Sequence, residues 1–348
     1  MKKYLIQIDK KKLIYGGFVF SLALCGILGY FFGMNIQEKR YSNFLNGFKN
    51  IRAESDKYSF INPLVGGISP PATDVGIYSD IKEDVFSYLE KEERAGNLYD
   101  YSFYFRDFST GLWFGSNESA DFFPASLFKL PIAIAAYKQE ETEENHFLEK
   151  EVIYTKEIDQ INDSVKSNSE SNLVVGRAYR VEDLIKIMII ESDNGAKNLV
   201  LSVLDKKYLN QLFNIVSLVD VDSNIYKISS RKYALFLRVL YGSSYLNEDH
   251  SETLLKLLTS TTFKQGLVAG VPSNVQIAHK YGTYNFEEEV NGVLRSVYQL
   301  HDCGIVYHAK NPYVFCLMTK GKDLESLYRI ISTISEKIYK NQEEENKK

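Results

Sequence analysis

The feature that most limits the fold is the placement of strand signals at both ends of a long helical middle. Residues 101–108 and 111–115 are rich in Tyr, Phe and Trp and flank the turn Ser109-Thr110-Gly111, which predicts a β-hairpin. Residues 275–279, 294–307 and 313–318 read as strands again, the last two joined by His308-Ala309-Lys310-Asn311-Pro312. Between these groups, apolar periodicity of helical type runs through 127–139, 181–191, 196–204, 232–241 and 251–258. Helices are also expected over 81–93, where Val85, Phe86 and Leu89 share a face, and over 323–339. Strands so far apart must close into one sheet, and hairpin-length connections make it antiparallel. The expected class is α+β: an antiparallel sheet lobe packed with helices, beside an all-helical lobe. A turn centred between Ala309 and Lys310 would set Cys303 opposite Cys316, as a disulfide or as a plain apolar pair.

Ahead of this domain, Leu13 to Met34 runs 22 residues without a charge, enough to cross a bilayer core as one transmembrane helix. Lys2, Lys3, Lys10, Lys11 and Lys12 precede it, so the positive-inside rule holds residues 1–12 in the cytoplasm and puts everything after Met34 outside. The run is longer than a signal-peptide core and lacks a small-residue cleavage site, which favours an anchor over a cleaved leader. Leu22-Ala23-Leu24-Cys25 approaches a lipid-attachment box, but Leu24 is bulky where a small residue is wanted. The expected order is a cytoplasmic segment 1–12, an anchor 13–34, a stalk 35–78, a folded domain 79–340 and a charged, disordered tail 341–348. With 348 residues and 45% hydrophobic composition the chain can bury one large core. Its net charge of -4 and the lack of a basic stripe after the first dozen residues give no reason to expect nucleic acid as a partner. The five histidines lack metal-ligand spacing, so neither metal nor cofactor is expected.

Three short strings carry chemistry. In Ser126-Leu127-Phe128-Lys129 the hydroxyl and the amine lie three residues apart on one helical face, so the lysine can act as base for a serine nucleophile. That lysine must be neutral, which burial beside a second cation, Lys280, can achieve. Ser192-Asp193-Asn194 sits at a helix junction, where Ser192 can relay a proton to a leaving nitrogen, Asn194 can hold a substrate amide and Asp193 can cap the next helix. Lys280-Tyr281-Gly282-Thr283 lies at the end of 275–279, expected to be an inner strand whose exposed edge can pair with an extended substrate. Lys280 would attract a carboxylate, Gly282 would let backbones approach, and the amides of Thr283 and Ser126 could form an oxyanion hole.

With these strings in this order, the chain resembles the penicillin-recognising serine hydrolases and, within them, the class A β-lactamase-like branch, over roughly residues 80–340. Phe123-Pro124-Ala125-Ser126 after a hairpin, Glu191-Ser192-Asp193-Asn194-Gly195, and Val271-Pro272 leading to His279-Lys280 extend the likeness. The resemblance implies an acyl-enzyme on Ser126, formed with a β-lactam or a peptide ending in D-alanyl-D-alanine. It makes Lys129 the base, Ser192 the proton shuttle, Asn194 a substrate contact and Lys280 the carboxylate partner. Two departures stand out. The stretch 216–228, where class A enzymes carry a water-activating glutamate, has only Asp220 and Asp222 as carboxylates, with Asn224 nearby. An acyl-enzyme should therefore persist, which favours a peptidase, a transpeptidase or a slow β-lactamase. Tyr281 stands where the family has Thr or Ser, and its phenol would crowd the carboxylate pocket, with Thr283 replacing part of the lost contact. The leading expectation is a membrane-anchored, extracytoplasmic serine hydrolase, acylated on Ser126 by a β-lactam or a muropeptide-like substrate, with hydrolysis of unknown efficiency. The alternative is an inactive, membrane-tethered module that binds envelope peptides.

Overall fold

The computed structural model describes residues 51–52, 57–66, 78–143, 146–158, 171–215, 227–290 and 293–345. The chain divides into two units, 1–49 and 50–348, and every described residue lies in the second. The expected anchor 13–34 and the carboxylates Asp220 and Asp222 lie outside the described residues. Among the described residues, no helix is long and apolar enough to cross a membrane.

The strands are β1 (Ile51–Arg52), β2 (Leu64–Gly66), β3 (Leu98–Asp107), β4 (Trp113–Ser116), β5 (Glu151–Ile153), β6 (Ala178–Arg180), β7 (Ile277–Val290), β8 (Val293–Val306) and β9 (Tyr313–Gly321). The helices are α1 (Ser79–Arg94), α2 (Lys129–Glu143), α3 (Val181–Ile190), α4 (Asn194–Val203), α5 (Lys206–Ile215), α6 (Ser230–Tyr241), α7 (Glu248–Thr259) and α8 (Leu324–Glu345). Five strands form the main sheet in the order β4-β3-β9-β8-β7, every pair antiparallel. The N-terminal hairpin β3-β4 thus joins the C-terminal strands in one sheet, as the strand signals require.

β9 is the middle strand and reads as a continuous apolar run because both of its faces are covered. On one face Phe315 meets Phe103, while Phe105 and Phe114 cluster with Tyr78 and Tyr313. On the other, Cys316, Met318, Val314 and Cys303 join the core of the helical lobe, with Leu130, Ile185, Leu199 and Leu237. Cys303 lies opposite Cys316, as the turn centre implies, and the two form a disulfide.

Three boundaries differ from expectation. β7 does not end at His279 but continues through Val290, because residues 280–290 find partners along β8 from Cys303 back to Val293. It is also an edge strand of the sheet and not the inner strand expected, because β8 pairs with it on one side and no strand pairs with it on the other among the described residues. Residues 57–62 are docked on the domain and are not stalk: Glu252 accepts hydrogen bonds from the consecutive amides of Ser59, Phe60 and Ile61 at 2.7 to 3.0 Å, and Asn62 donates to the Tyr241 carbonyl. α8 runs through Glu345, into the segment expected to be a disordered tail, and His308 bonds Glu343 at 2.7 Å on that last turn. α5 has no counterpart in the expected helices.

Candidate active site

Ser126 lies in a 3-10 turn, Ala125–Phe128, and Lys129 opens α2 directly after it. Ala125 has φ of +48°, left-handed for a residue with a side chain, so the chain enters Ser126 through a sharp, costly bend. The Lys129 amine lies 2.9 Å from Ser126 Oγ, within hydrogen-bond reach. It donates to the Ser192 carbonyl and, at 3.2 Å, to Ser192 Oγ. Lys280 reaches the same Ser192 hydroxyl at 2.9 Å. One serine therefore sits between two amines, and its own φ of +61° holds both its carbonyl and its hydroxyl toward them.

Both lysines are buried, at 1% and 0% exposure, and this decides their charge state. Burial holds the Lys129 amine well below its ordinary pKa, the charges of Lys280 and Lys197 push the same way, and Asp193 opposes them. Burial likewise lowers Lys280 to about 7, against the pull of Asp302. A neutral amine 2.9 Å from a hydroxyl can take its proton.

Asp193 caps α4 as expected, accepting from the Ala196 amide at 2.7 Å, and it also takes hydrogen bonds from Ser171 Oγ and the Asn172 amide. Asn194, half-buried, is the first residue of α4. On β7, a Cβ at Gly282 would lie 2.9 Å from the Ser126 nitrogen, 3.1 Å from that of Leu127 and 3.1 Å from the Pro124 carbonyl. Only glycine lets the strand lie this close to the turn that carries Ser126. Thr283 follows, exposed on the sheet edge. Tyr281 stacks flat on Phe263, with ring centres 3.8 Å apart, and the Lys280 amine lies 4.7 Å from its ring centre.

The structure thus gathers Ser126, Lys129, Ser192, Lys280 and Gly282 around one point, with Asn194, Tyr281 and Thr283 on the elements that carry them. Sequence reasoning missed Lys197, whose charge acts on Lys129, and the buried pair His279 and Asp302, bonded at 2.8 Å on neighbouring strands. It also missed an aromatic strip. Alternation along β7 puts Tyr284 and Phe286 on the face of Lys280 and Gly282, where Tyr284 packs against Phe123 at 4.9 Å and stacks on Phe286 at 5.8 Å. Period-two reading carried past Gly282 would have found the strip.

An α+β fold whose antiparallel sheet and helical lobe meet at a serine, two lysines and a second serine defines the class as serine hydrolase. The chain belongs to the beta-lactamase enzyme family, whose description matches residues 84–342. Among solved structures, PBP-A is 22% identical and aligns 80% of this chain with 100% of its own at a TM-score of 0.63. A PBP-A variant in an acyl-enzyme complex with penicillin G gives 22%, 79%, 99% and 0.62 for the same quantities. A beta lactamase from Xanthomonas campestris pv. campestris is 16% identical, with 75% of this chain and 98% of its own aligned at 0.62. At these identities the likeness concerns the fold. A search of curated proteins finds no match.

Proposed function

We propose that this serine hydrolase forms an acyl-enzyme on Ser126 with β-lactams or with D-alanyl-D-alanine-type peptides, and releases it slowly. The supporting observation is the buried Lys129 amine 2.9 Å from Ser126 Oγ. Neutral Lys129 takes the hydroxyl proton as Oγ attacks the carbonyl carbon, and the amides of Ser126 and Thr283 hold the developing oxyanion. As the amide C–N bond breaks, the proton passes through Ser192 to the leaving nitrogen. Lys280 draws the substrate carboxylate, Asn194 holds the substrate amide, and Tyr284 with Phe123 offers an apolar surface to the acyl side chain. PBP-A, of the same fold, has been captured as a penicillin G acyl-enzyme in variant form, which favours this reading.

Slow release follows from the carboxylates. Residues 216–228 contain no glutamate, and Asp193, whose charge acts on Lys129, already accepts three hydrogen bonds. We further propose that 13–34 anchors the chain with this domain outside the membrane, as the flanking lysines favour.

The test is intact-mass analysis of the full-length protein in detergent, incubated with benzylpenicillin beside Ser126→Ala. A long-lived adduct that needs Ser126 is the expected result. Rapid penicilloate release would refute slow deacylation. No adduct with either penicillin or D-alanyl-D-alanine peptides, on folded protein, would refute acylation and leave the peptide-binding module.

A further inference from the structure

At the edge of the sheet opposite β7, a cavity of about 430 Å³ opens between β4, β3 and the first turns of α6. Its size falls within the range of small-molecule sites. Four cationic side chains line it, Arg106, Arg231, Lys232 and Arg238, and no lining residue is acidic. The chain as a whole carries a net charge of -4, so this concentration runs against its composition. Glu118 pairs with Arg231 at 3.7 Å, and half of the Arg231 side chain stays exposed.

The wall is built to hold these charges in place. Arg106 on β3 lies opposite Trp113 on β4, and the Arg231 guanidinium sits 4.6 Å from the Trp113 ring centre. Arg231, Leu235 and Arg238 recur at helical spacing along one side of α6. The helix start is fixed by Ser229, which caps the Lys232 amide, and by the Ser230 hydroxyl, 2.8 Å from that of Ser102 on β3. Ser119 and Ser229 add hydroxyls to the lining.

We propose that this cavity binds a diphosphate group. Guanidinium forks match phosphate oxygens in pairs, and one phosphate carries about -1.5 to -2 charges at neutral pH; four cationic side chains less the Glu118 carboxylate leave about +3, which suits two linked phosphates. The site is distinct from the nucleophile: four strand spacings of ~4.8 Å, or about 19 Å, separate β4 from β7.

Calorimetric titration of the full-length protein with inorganic pyrophosphate tests this, beside inorganic phosphate and sulfate at matched ionic strength. Saturable binding is expected, tighter for pyrophosphate than for either other anion, and weakened at least about tenfold in Arg106→Gln/Lys232→Gln. Ser126→Ala should bind as the wild type does, and circular dichroism of the double variant verifies its fold. Farnesyl diphosphate in phosphatidylcholine vesicles serves as a second arm: retention there assigns the group to a lipid, and binding of free pyrophosphate alone assigns it to a soluble ligand. Equal affinity for sulfate and pyrophosphate, or unchanged affinity in the folded double variant, would overturn the proposal. Neither result bears on acylation of Ser126, which is read separately.

Discussion

His301 donates its Nε2 proton to the carbonyl of Phe123 at 3.0 Å, tying the interior of the sheet to the turn that presents Ser126. The Thr319 amide donates to Nδ1 at 3.2 Å, which leaves the proton on Nε2. On β8, His301 faces Gly282 across the ladder, so the Ser126 turn is held by an imidazole and admitted by a glycine from one paired position.

Burial lowers the His301 pKa to about 4. Unfolded, it binds a proton below about 6.5, so from there down to about 4 the unfolded state holds more protons and stability falls with pH. The loss from this group should reach at most about 3 kcal/mol. Urea unfolding at pH 7, 5.5 and 4.5 should show the slope in the wild type and a flatter one in His301→Gln. Identical slopes would remove His301 as its source.

Gly282→Ala should leave the fold intact and slow Ser126 acylation by about 10- to 100-fold, because its Cβ meets backbone atoms 2.9 and 3.1 Å away and pushes β7 off the Ser126 turn. Stopped-flow acylation with a chromogenic β-lactam measures this. An unchanged rate would mean that the strand position is immaterial.

Three charged groups act on Lys129: Lys280 from β7 and Lys197 from α4 lower its pKa, and Asp193 at the junction raises it. Lys197→Met removes a neighbouring positive charge without touching Ser126. Charged Lys129 then becomes easier to form, its pKa rises, and the acid limb of the acylation pH profile should move to higher pH. A limb that stays put, or moves down, would exclude neutral Lys129 as the base.

The Cys303–Cys316 disulfide closes a loop with a sequence separation of 13. Replacing both cysteines with Ala should lower stability by about 2 to 4 kcal/mol in denaturant unfolding. Mass analysis after alkylation should find no free thiol at either position until a reductant is added. Alkylation of unreduced, unfolded protein at both would contradict the bond.

Much of this was legible because it is local or periodic. Ser126 and Lys129 meet through one helical turn, Asp193 caps the helix that follows it, and the pairing of Cys303 with Cys316 follows from a turn centre. The limits of β7 were not, since Glu287, Glu288 and Glu289 discourage a strand and become one only through pairing with Ser296, Arg295 and Leu294. The bond from Glu252 to residues near 60 spans 191 to 193 positions and that from His301 to Phe123 spans 178, separations at which no spacing rule operates. Lys197 was missed for another reason: its charge acts on Lys129 through space, and it belongs to none of the three strings.

The left-handed backbone of Ser192 carries a further consequence. A residue with a side chain gives up about 1 kcal/mol in that conformation, a loss that glycine would largely avoid. Glycine would also delete the hydroxyl that Lys129 and Lys280 share. Two buried amines would then lose an acceptor, at about 1 to 3 kcal/mol, so the strain at this position is offset by the contacts that it makes possible.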